Sequence, residues 1–590
     1  MELEPSGDEP SLTEQSFGPV VWPSAAKVAG LVVGVAWFLE LLGFVFPGFL
    51  TRMAAASWIL GGVCYVGIAS FILARTFTRD FKEQTFLGWP ALALAALLTF
   101  WGIGGPDLTT INPESCLQVS IGLDNLHEPD LALDRRGFLN YPCRQYTIAA
   151  LPTAACGRSL LALQLGFAIP FFSGVLVFYA GLRASAGRMG GFSAALGVAL
   201  LFCFTRVPTW IREYEQTILP LAFTLHVTGW WLLGRSHKLP APAVGFGLAW
   251  LGGVLAMGYT PGLATVALMI VLAARATLFP PRPSALAGER FLASQLVAYL
   301  VVLAGIALWL QWGPQLGFGD PTRRPYGNEF GPRSFDFLKA IVLGRPDGGL
   351  IISWLQIPFL GFVLLALTGR LGAETRIVAV WAIASTIAAV YLRGWAQRPA
   401  AFDLHRAMII VPPICAAASL WLTRLILHSG PPRPWISLLV RSGMSLGILV
   451  VAAHSIWFKP SGGWLDPPGP RVIDVLILDA WEYIWVHRIS DDAAVEIQGS
   501  SEITPLNVPD YLRYFVPSAR FQRGDKSVRS PTWRPTIVLS YLPLRRGETS
   551  PSVVRQDPNL SRRVLVARDR VKFIRTAENF PAPRSEIESR

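Results

Sequence analysis

Charge is scarce in this sequence. Asp, Glu, Lys and Arg together make up 15% of its 590 residues, where a soluble chain carries about 25%. Cysteine and histidine are scarce too, at six and seven. So few cysteines exclude a disulfide-stapled scaffold, and scattered histidines argue against a metal centre built on them. There is no P-loop, no GxGxxG opening a helix, no HExxH and no CxxC pair. Nucleotide cradles, dinucleotide folds, zinc proteases and thiol redox pairs therefore lack their signatures. No solenoid-length repeat, heptad run or low-complexity tract is present. The start, "MELEPSGDEPSLTEQSFGPVVWPSAAK", is acidic and lacks the basic n-region of a cleaved signal peptide. Residues 1–26 are expected to form a disordered cytoplasmic tail.

What the chain does have is hydrophobic length. It is 52% hydrophobic, its mean hydropathy is +0.43, and apolar runs recur from Lys27 to Phe458. Many approach the ~20 residues that span a bilayer. The expected fold class is an all-α polytopic membrane protein of about thirteen spans. Their approximate bounds are 27–50, 54–75, 87–104, 159–181, 189–206, 216–234, 241–257, 261–275, 291–313, 349–369, 376–393, 407–426 and 437–457. Together they give a transmembrane domain over 27–457. The net charge of +12 lies largely in short loops and the C-terminal tail. No basic stripe interleaved with aromatics sits on a soluble module, so nucleic acid is a poor partner. Membrane lipid, or a phosphate carried on a lipid, suits the charge better.

Loop charge sets the orientation. With the N-terminus inside, the cytoplasmic loops carry Arg75, Arg79 and Lys82, then Arg183 and Arg188, then Arg235 and Lys238, and so on at nearly every alternate turn. The other face receives the long loops 105–158 and 314–348 and the tail from 458. The tail 458–590 contains "PTIVLSYLPL" and "SRRVLVARDRVKFIRTA", rich in β-branched residues with alternating polarity. A small extracytoplasmic α/β domain is expected there. Cys116, Cys143 and Cys156 lie in or beside loop 105–158, and an extracytoplasmic loop would allow one disulfide among them.

Polar groups thus gather above one face rather than at the midplane, where a transporter binds its substrate. That arrangement suits an enzyme at the membrane surface. Its candidate acids are Asp107 and Glu114, which sit between an apolar helix and the half-apolar "CLQVSIGL", read as an interfacial helix. A carboxylate partly desolvated there would have a raised pKa and could serve as a base. Arg206, Arg212 and Arg406 fall at the outer ends of expected spans. A guanidinium fork at that depth could bind phosphate oxygens bidentately. For each of these arginines the competing reading is a snorkelling interfacial anchor.

The order of elements also carries a resemblance. "TTINPESCLQVSIGL", a polar spacer, "NYP" at 140–142, "ALP" at 150–152 and "GRSLLALQLGFAIP" follow one another. Further on come "AMGYTPG" and "FDLHRAMIIVPPICAAASLWL". From about 87 to 457 this order resembles the bacterial family-39 glycosyltransferases, similar to protein O-mannosyltransferases and the aminoarabinose transferase of lipid A, with the GT-C fold. Two helices precede the part that matches. The resemblance implies inverting transfer of a sugar from a polyprenyl-phosphate donor to a glycan, lipid or protein acceptor outside the bacterial inner membrane. It implies no cofactor and leaves a divalent metal open. It makes Glu114 the base and Arg212 and Arg406 the phosphate ligands. Arg206, His405 and Tyr141 join them as substrate-binding candidates. The family's Asp-Glu pair falls on Pro113-Glu114, so the first acid is missing unless Asp107 takes its place in space. The alternative is a non-catalytic descendant, a scaffold or accessory subunit in a membrane complex.

The expected topology has a direct check. Cysteines introduced singly in place of Phe330 and Ser185 should differ in intact cells, with only the first reached by an impermeant thiol reagent. Equal labelling would rule out this topology.

Overall fold

The structure is a computed structural model. It describes residues 28–36, 38–39, 42, 49–82, 88–101, 103, 113–127, 143–186, 189–204, 215–235, 246–247, 250–251, 254, 411–428, 494–498, 514, 520–523, 537–540, 553–557, 562–567 and 570–575. The described helices are α1 (Phe49–Lys82), α2 (Gly88–Phe100), α3 (Pro113–His127), α4 (Cys143–Cys156), α5 (Leu160–Ser185), α6 (Gly190–Phe204), α7 (Glu215–Arg235) and α8 (Val411–His428).

α1 shows what kind of medium surrounds it. Its buried positions Ala54, Trp58, Tyr65, Ile68 and Ile72 recur at helical spacing and face the protein. Its other faces are equally apolar but exposed, with Met53, Ile59, Leu60, Val63, Val66 and Phe71 turned outward. A helix in water would place charge there. Arg52–Thr78, of 27 residues, and Leu160–Ser185, of 26, are long and apolar enough to cross a membrane among the described residues. Gly88–Phe100, Gly190–Phe202, Leu221–Leu233 and Val411–Thr423 are shorter apolar helices. The described transmembrane part is thus helical and membrane-bound. Expected spans 261–275, 291–313, 349–369, 376–393 and 437–457 lie outside the described residues, as do most of 241–257 and parts of 27–50.

Lipid tails are as apolar as leucine, so helices gain little from burying apolar side chains against one another and depend on close contact and polar links. α5 and α7 form the most extensive described helix pair. Small residues seven apart make this approach: Gly174 and Gly181 on α5, Ala222 and Gly229 on α7. A Cβ added at Gly174 would lie 2.7 Å from the Ala222 carbonyl oxygen, and one at Gly181 would lie 2.6 Å from that of Gly229. α6 joins α8 through Ser193 and Ser419, whose hydroxyl oxygens are 2.9 Å apart.

A polar chain holds α1 to this pair. The Trp230 indole N–H donates to the Tyr65 hydroxyl at 2.7 Å, and that hydroxyl lies 2.7 Å from Nδ1 of His226. An indole can only donate, so the Tyr65 proton goes to His226 and Nδ1 is the acceptor. The imidazole proton then sits on Nε2, which is 3.3 Å from the Pro170 carbonyl and 3.1 Å from the Ser173 hydroxyl. Trp250 stacks on the Tyr65 ring, with centroids 4.4 Å apart. One tyrosine thereby links α1 to α5, α7 and the helical residues around Trp250.

The segment expected as the first outer loop is not a plain loop. It contains α3 and α4, packed closely on each other. A Cβ at Gly122 would strike the Tyr146 carbonyl and the Ala150 side chain. α3 was expected as an interfacial helix, yet Ser115, Cys116 and every residue from Gln118 to Leu123 are buried. The helix is enclosed rather than floating on one apolar face. α1 also exceeds its expected span, continuing through Arg75 and Arg79 to Lys82. Backbone hydrogen bonding carries a helix beyond its apolar stretch as readily as through it.

Six strands occur in the C-terminal part: β1 (Ala494–Gln498), β2 (Arg520–Arg523), β3 (Ile537–Ser540), β4 (Val553–Asp557), β5 (Arg562–Ala567) and β6 (Arg570–Arg575). They form one mixed sheet in the order β2-β1-β3-β6-β5-β4. β1, β2, β3 and β6 pair in parallel, while β4, β5 and β6 form an antiparallel edge.

The link at Tyr65 predicts a stability effect. Tyr65→Phe keeps the stacked ring but leaves the Trp230 N–H and the His226 Nδ1 without partners where no water reaches. Interhelical hydrogen bonds in membranes average about 0.6 kcal/mol and an orphaned buried group costs about 1–3 kcal/mol, so a loss of about 1–3 kcal/mol is expected. Unfolding in mixed micelles measures it. A midpoint indistinguishable from wild type would show that the hydroxyl contributes nothing.

Candidate functional site

Glu114 lies in the first turn of α3, directly after Pro113, which begins the helix. Proline suits that position, because its fixed φ matches the helix and its missing N–H would have no intrahelical partner there. The turn leads into buried polar residues. Ser115 is fully buried, Gln118 is 4% exposed and Ser120 2% exposed.

α4 lies alongside α3. Asn125 Nδ2 reaches Thr147 Oγ1 at 3.5 Å, and Gln145 of α4 donates to the Val254 carbonyl at 3.4 Å. Gln118 Oε1, Ser120 Oγ and Gln145 Oε1 are buried oxygens that make no hydrogen bond in the structure. The α3–α4 pair thus carries acceptor capacity in its interior.

The far end of α4 is built as a corner. Gly157 stops the helix with φ +85, the left-handed conformation that glycine adopts without a Cβ penalty, and its N–H returns to the Thr153 carbonyl at 2.9 Å. Ser159 then caps α5, its hydroxyl accepting from the Ala162 N–H at 3.1 Å. Into this corner fits Tyr514, from the C-terminal part of the chain, with no exposed surface. Its hydroxyl donates to the Ser159 carbonyl at 2.8 Å, and Thr153 Oγ1 lies 3.1 Å from the same oxygen. The tyrosine proton is committed to Ser159, so Thr153 is the donor to it. Arg158 donates to the Tyr514 carbonyl at 2.8 Å and stands 6.0 Å from its ring centre. Burial pushes the Tyr514 hydroxyl well above the usual tyrosine range. The Thr153 hydrogen bond opposes that shift, the Cys116 thiol adds to it and Arg158 opposes it. Cys116 is two residues beyond Glu114, so Tyr514, the α4–α5 corner and the start of α3 share one neighbourhood.

Of the candidate catalytic and substrate-binding residues, Glu114 alone lies within a described element, and its place there is a backbone position. Asp107, Tyr141, Arg206, Arg212, His405 and Arg406 lie outside the described residues. Cys116 is buried and Cys156 exposed, and both are thiols, so no disulfide joins them. Among the described residues no three His, Cys, Asp or Glu side chains gather as a metal site. Sequence reasoning missed Tyr514, Thr153 and Arg158. The only signal for them was the "CGRS" run at 156–159, which ends one helix and starts another.

No family model and no curated protein matches the chain. Among solved structures it is similar to ArnT from Cupriavidus metallidurans in the apo state, with TM-score 0.45 and 14% identity over 76% of this chain and 84% of that one. The same protein bound to undecaprenyl phosphate gives TM-score 0.45 and 15% identity, over 76% and 85%. The archaeal oligosaccharyltransferase AglB from Archaeoglobus fulgidus, in complex with an inhibitory peptide and a dolichol-phosphate, gives 0.38 and 14%, over 77% and 62%. Likenesses this loose carry no argument about the chemistry of this chain.

Proposed function

We propose that the protein is a membrane glycosyltransferase that moves a sugar from a polyprenyl-phosphate carrier to an acceptor hydroxyl on the extracytoplasmic face. The observation that carries the reading is Glu114 in the first turn of α3. That helix follows an apolar one and encloses the polar side chains Ser115, Gln118 and Ser120. A carboxylate held there is a base beside a hydroxyl-binding interior, a short distance along the chain from lipid. In this reading Glu114 takes the acceptor proton, and the acceptor oxygen attacks the anomeric carbon from the side opposite the phosphate. The carbon–oxygen bond to phosphate breaks and the configuration inverts. The lipid phosphate leaves with its charge held by the forks of Arg212 and Arg406, while Arg206, His405 and Tyr141 contact substrate. No prosthetic group is needed. The site lies outside a bacterial inner membrane, with the N-terminus in the cytoplasm and 458–590 forming the extracytoplasmic domain.

One observation favours a second reading. Pro113, standing where the resembling family has an acid, is the first residue of α3. It therefore has a structural duty there, as expected of a scaffold or accessory subunit that has given up catalysis.

A transfer assay with purified variants decides between them. A general base contributes about 10²–10⁴-fold in rate, so Glu114→Gln should lower turnover by that order while leaving donor binding unchanged. Asp107→Asn tests whether a second acid fills the place held by Pro113. Full activity in both variants would remove the carboxylate mechanism, and a wild type inert with every donor tried would favour the scaffold.

The phosphate role has its own measurement. Arg212→Lys and Arg406→Lys keep the charge and lose the bidentate fork, so each should weaken binding of a polyprenyl-phosphate donor. Unchanged affinity in both would dismiss these arginines as phosphate ligands.

A further inference from the structure

Tyr514 is fully buried although the other described residues of the C-terminal part all lie in the six strands. It reaches the helical bundle through hydrogen bonds from three of its own and its neighbours' groups. The hydroxyl engages Thr153 of α4 and the Ser159 carbonyl that begins α5, and its backbone carbonyl accepts from Arg158 between them. α4 in turn grips α3, through Gly122 against Tyr146 and Ala150 and through Asn125 against Thr147. A chain of direct contacts therefore runs from the C-terminal part of the protein, through one helix, to the helix whose first turn carries Glu114. Nothing in the transfer chemistry requires a tyrosine here, and a surface attachment would not need both the hydroxyl and the carbonyl of the residue committed.

We propose that Tyr514 is a positioning residue, a clamp by which the C-terminal part of the chain fixes the α4–α5 corner and so sets the place of the Glu114-bearing turn of α3. The meaning of that turn for transfer rests on the function proposed above, while the clamp itself does not. Three features make the corner dependent on the clamp. Gly157 leaves it with little intrinsic stiffness, since glycine has the widest conformational range. The Ser159 carbonyl accepts from the Tyr514 hydroxyl, and the Thr153 hydroxyl donates to it. Arg158 is held by the Tyr514 backbone and lies beside its ring.

The experiment uses the full chain in detergent, with amide hydrogen exchange read by mass spectrometry beside a transfer assay. Tyr514→Ala should speed exchange about tenfold or more in 153–160, because two hydrogen bonds to the corner are lost. It should also speed exchange in 113–127, which Tyr514 does not hydrogen-bond. Displacement of a reacting group by about 1 Å can cost 10²-fold, so kcat should fall by about 10–100-fold with the donor KM little changed. Tyr514→Phe keeps the ring and should fall between wild type and Tyr514→Ala in both readouts. If Tyr514→Ala fails to fold, Thr153→Val removes a single hydrogen bond and should give the smaller shift in the same two segments. Exchange that rises only around 514 while 113–127 stays as in wild type would overturn the proposal. A loss of activity with unchanged exchange in 113–127 would also overturn it, since Tyr514 would then be meeting substrate rather than holding α3. If the wild type transfers no sugar, the proposed function falls, and exchange in 113–127 alone decides on the clamp.

Discussion

Close approach of backbones is the constraint on which this structure depends. In lipid an apolar side chain leaves one apolar environment for another, so the pairing of helices rests on shape and on the few polar links available. The pairing of α5 with α7 is made by Gly174, Gly181 and Gly229, where a side chain on one helix would enter the backbone of the other. Every other described helix packs against that pair: α4 lies against α5, and α3 touches both α5 and α7. α6 packs against α5, α8 against α6 and α7, and α1 and α2 against α5. Loss of the close approach would shift the Pro170 carbonyl on α5 relative to His226 on α7, and with it the hydrogen bond that orders the Tyr65 chain.

That chain shows how polarity is handled inside the bundle. An imidazole and a phenol in a water-free region are costly unless each donor meets an acceptor. Here the directions are forced: indole to phenol, phenol to Nδ1, Nε2–H to the Pro170 carbonyl and the Ser173 hydroxyl. With every donor in the chain directed at an acceptor, the arrangement suits a joint between helices. It attaches α1, which precedes the part of the chain with the family resemblance, to the helices within it.

Much of the bundle was legible in the sequence, because bilayer-length apolar runs are the strongest signal a chain can carry. The helices expected at 159–181, 189–206, 216–234 and 407–426 are matched by α5, α6, α7 and α8. β3, β5 and β6 fall in the segments where β-branched alternation predicts strands. The helices of the first outer segment were harder. α4 is "CRQYTIAALPTAAC", with apolar and polar residues on all sides and Pro152 in its interior, so no periodicity marks it. Its buried face, Gln145, Tyr146, Ala149, Ala150 and Thr153, mixes polar with apolar residues while Leu151 is exposed, so hydrophobicity does not mark which face is covered. The seven-residue spacing of 174 with 181 and of 222 with 229 was visible, but spacing alone does not say which helix meets which. The candidate site was legible only at Glu114, by position and residue type. Tyr514 lies hundreds of residues from its partners, beyond any local pattern.

The corner at 157–159 joins the helical bundle to the C-terminal part of the chain. Three consecutive residues have three separate tasks: Gly157 turns the chain with a positive φ, Arg158 holds the Tyr514 backbone, and Ser159 caps α5 while its carbonyl receives the Tyr514 hydroxyl. α5 is anchored in the bundle through α7, so the corner is fixed on its membrane side. α4 leaves the corner and carries α3 with it, so the first turn of α3 inherits its position from both the bundle and the C-terminal part of the chain. Ser115, Cys116 and every residue from Gln118 to Leu123 are buried, so the first turn of α3 is continuous with a packed helix rather than with an open loop.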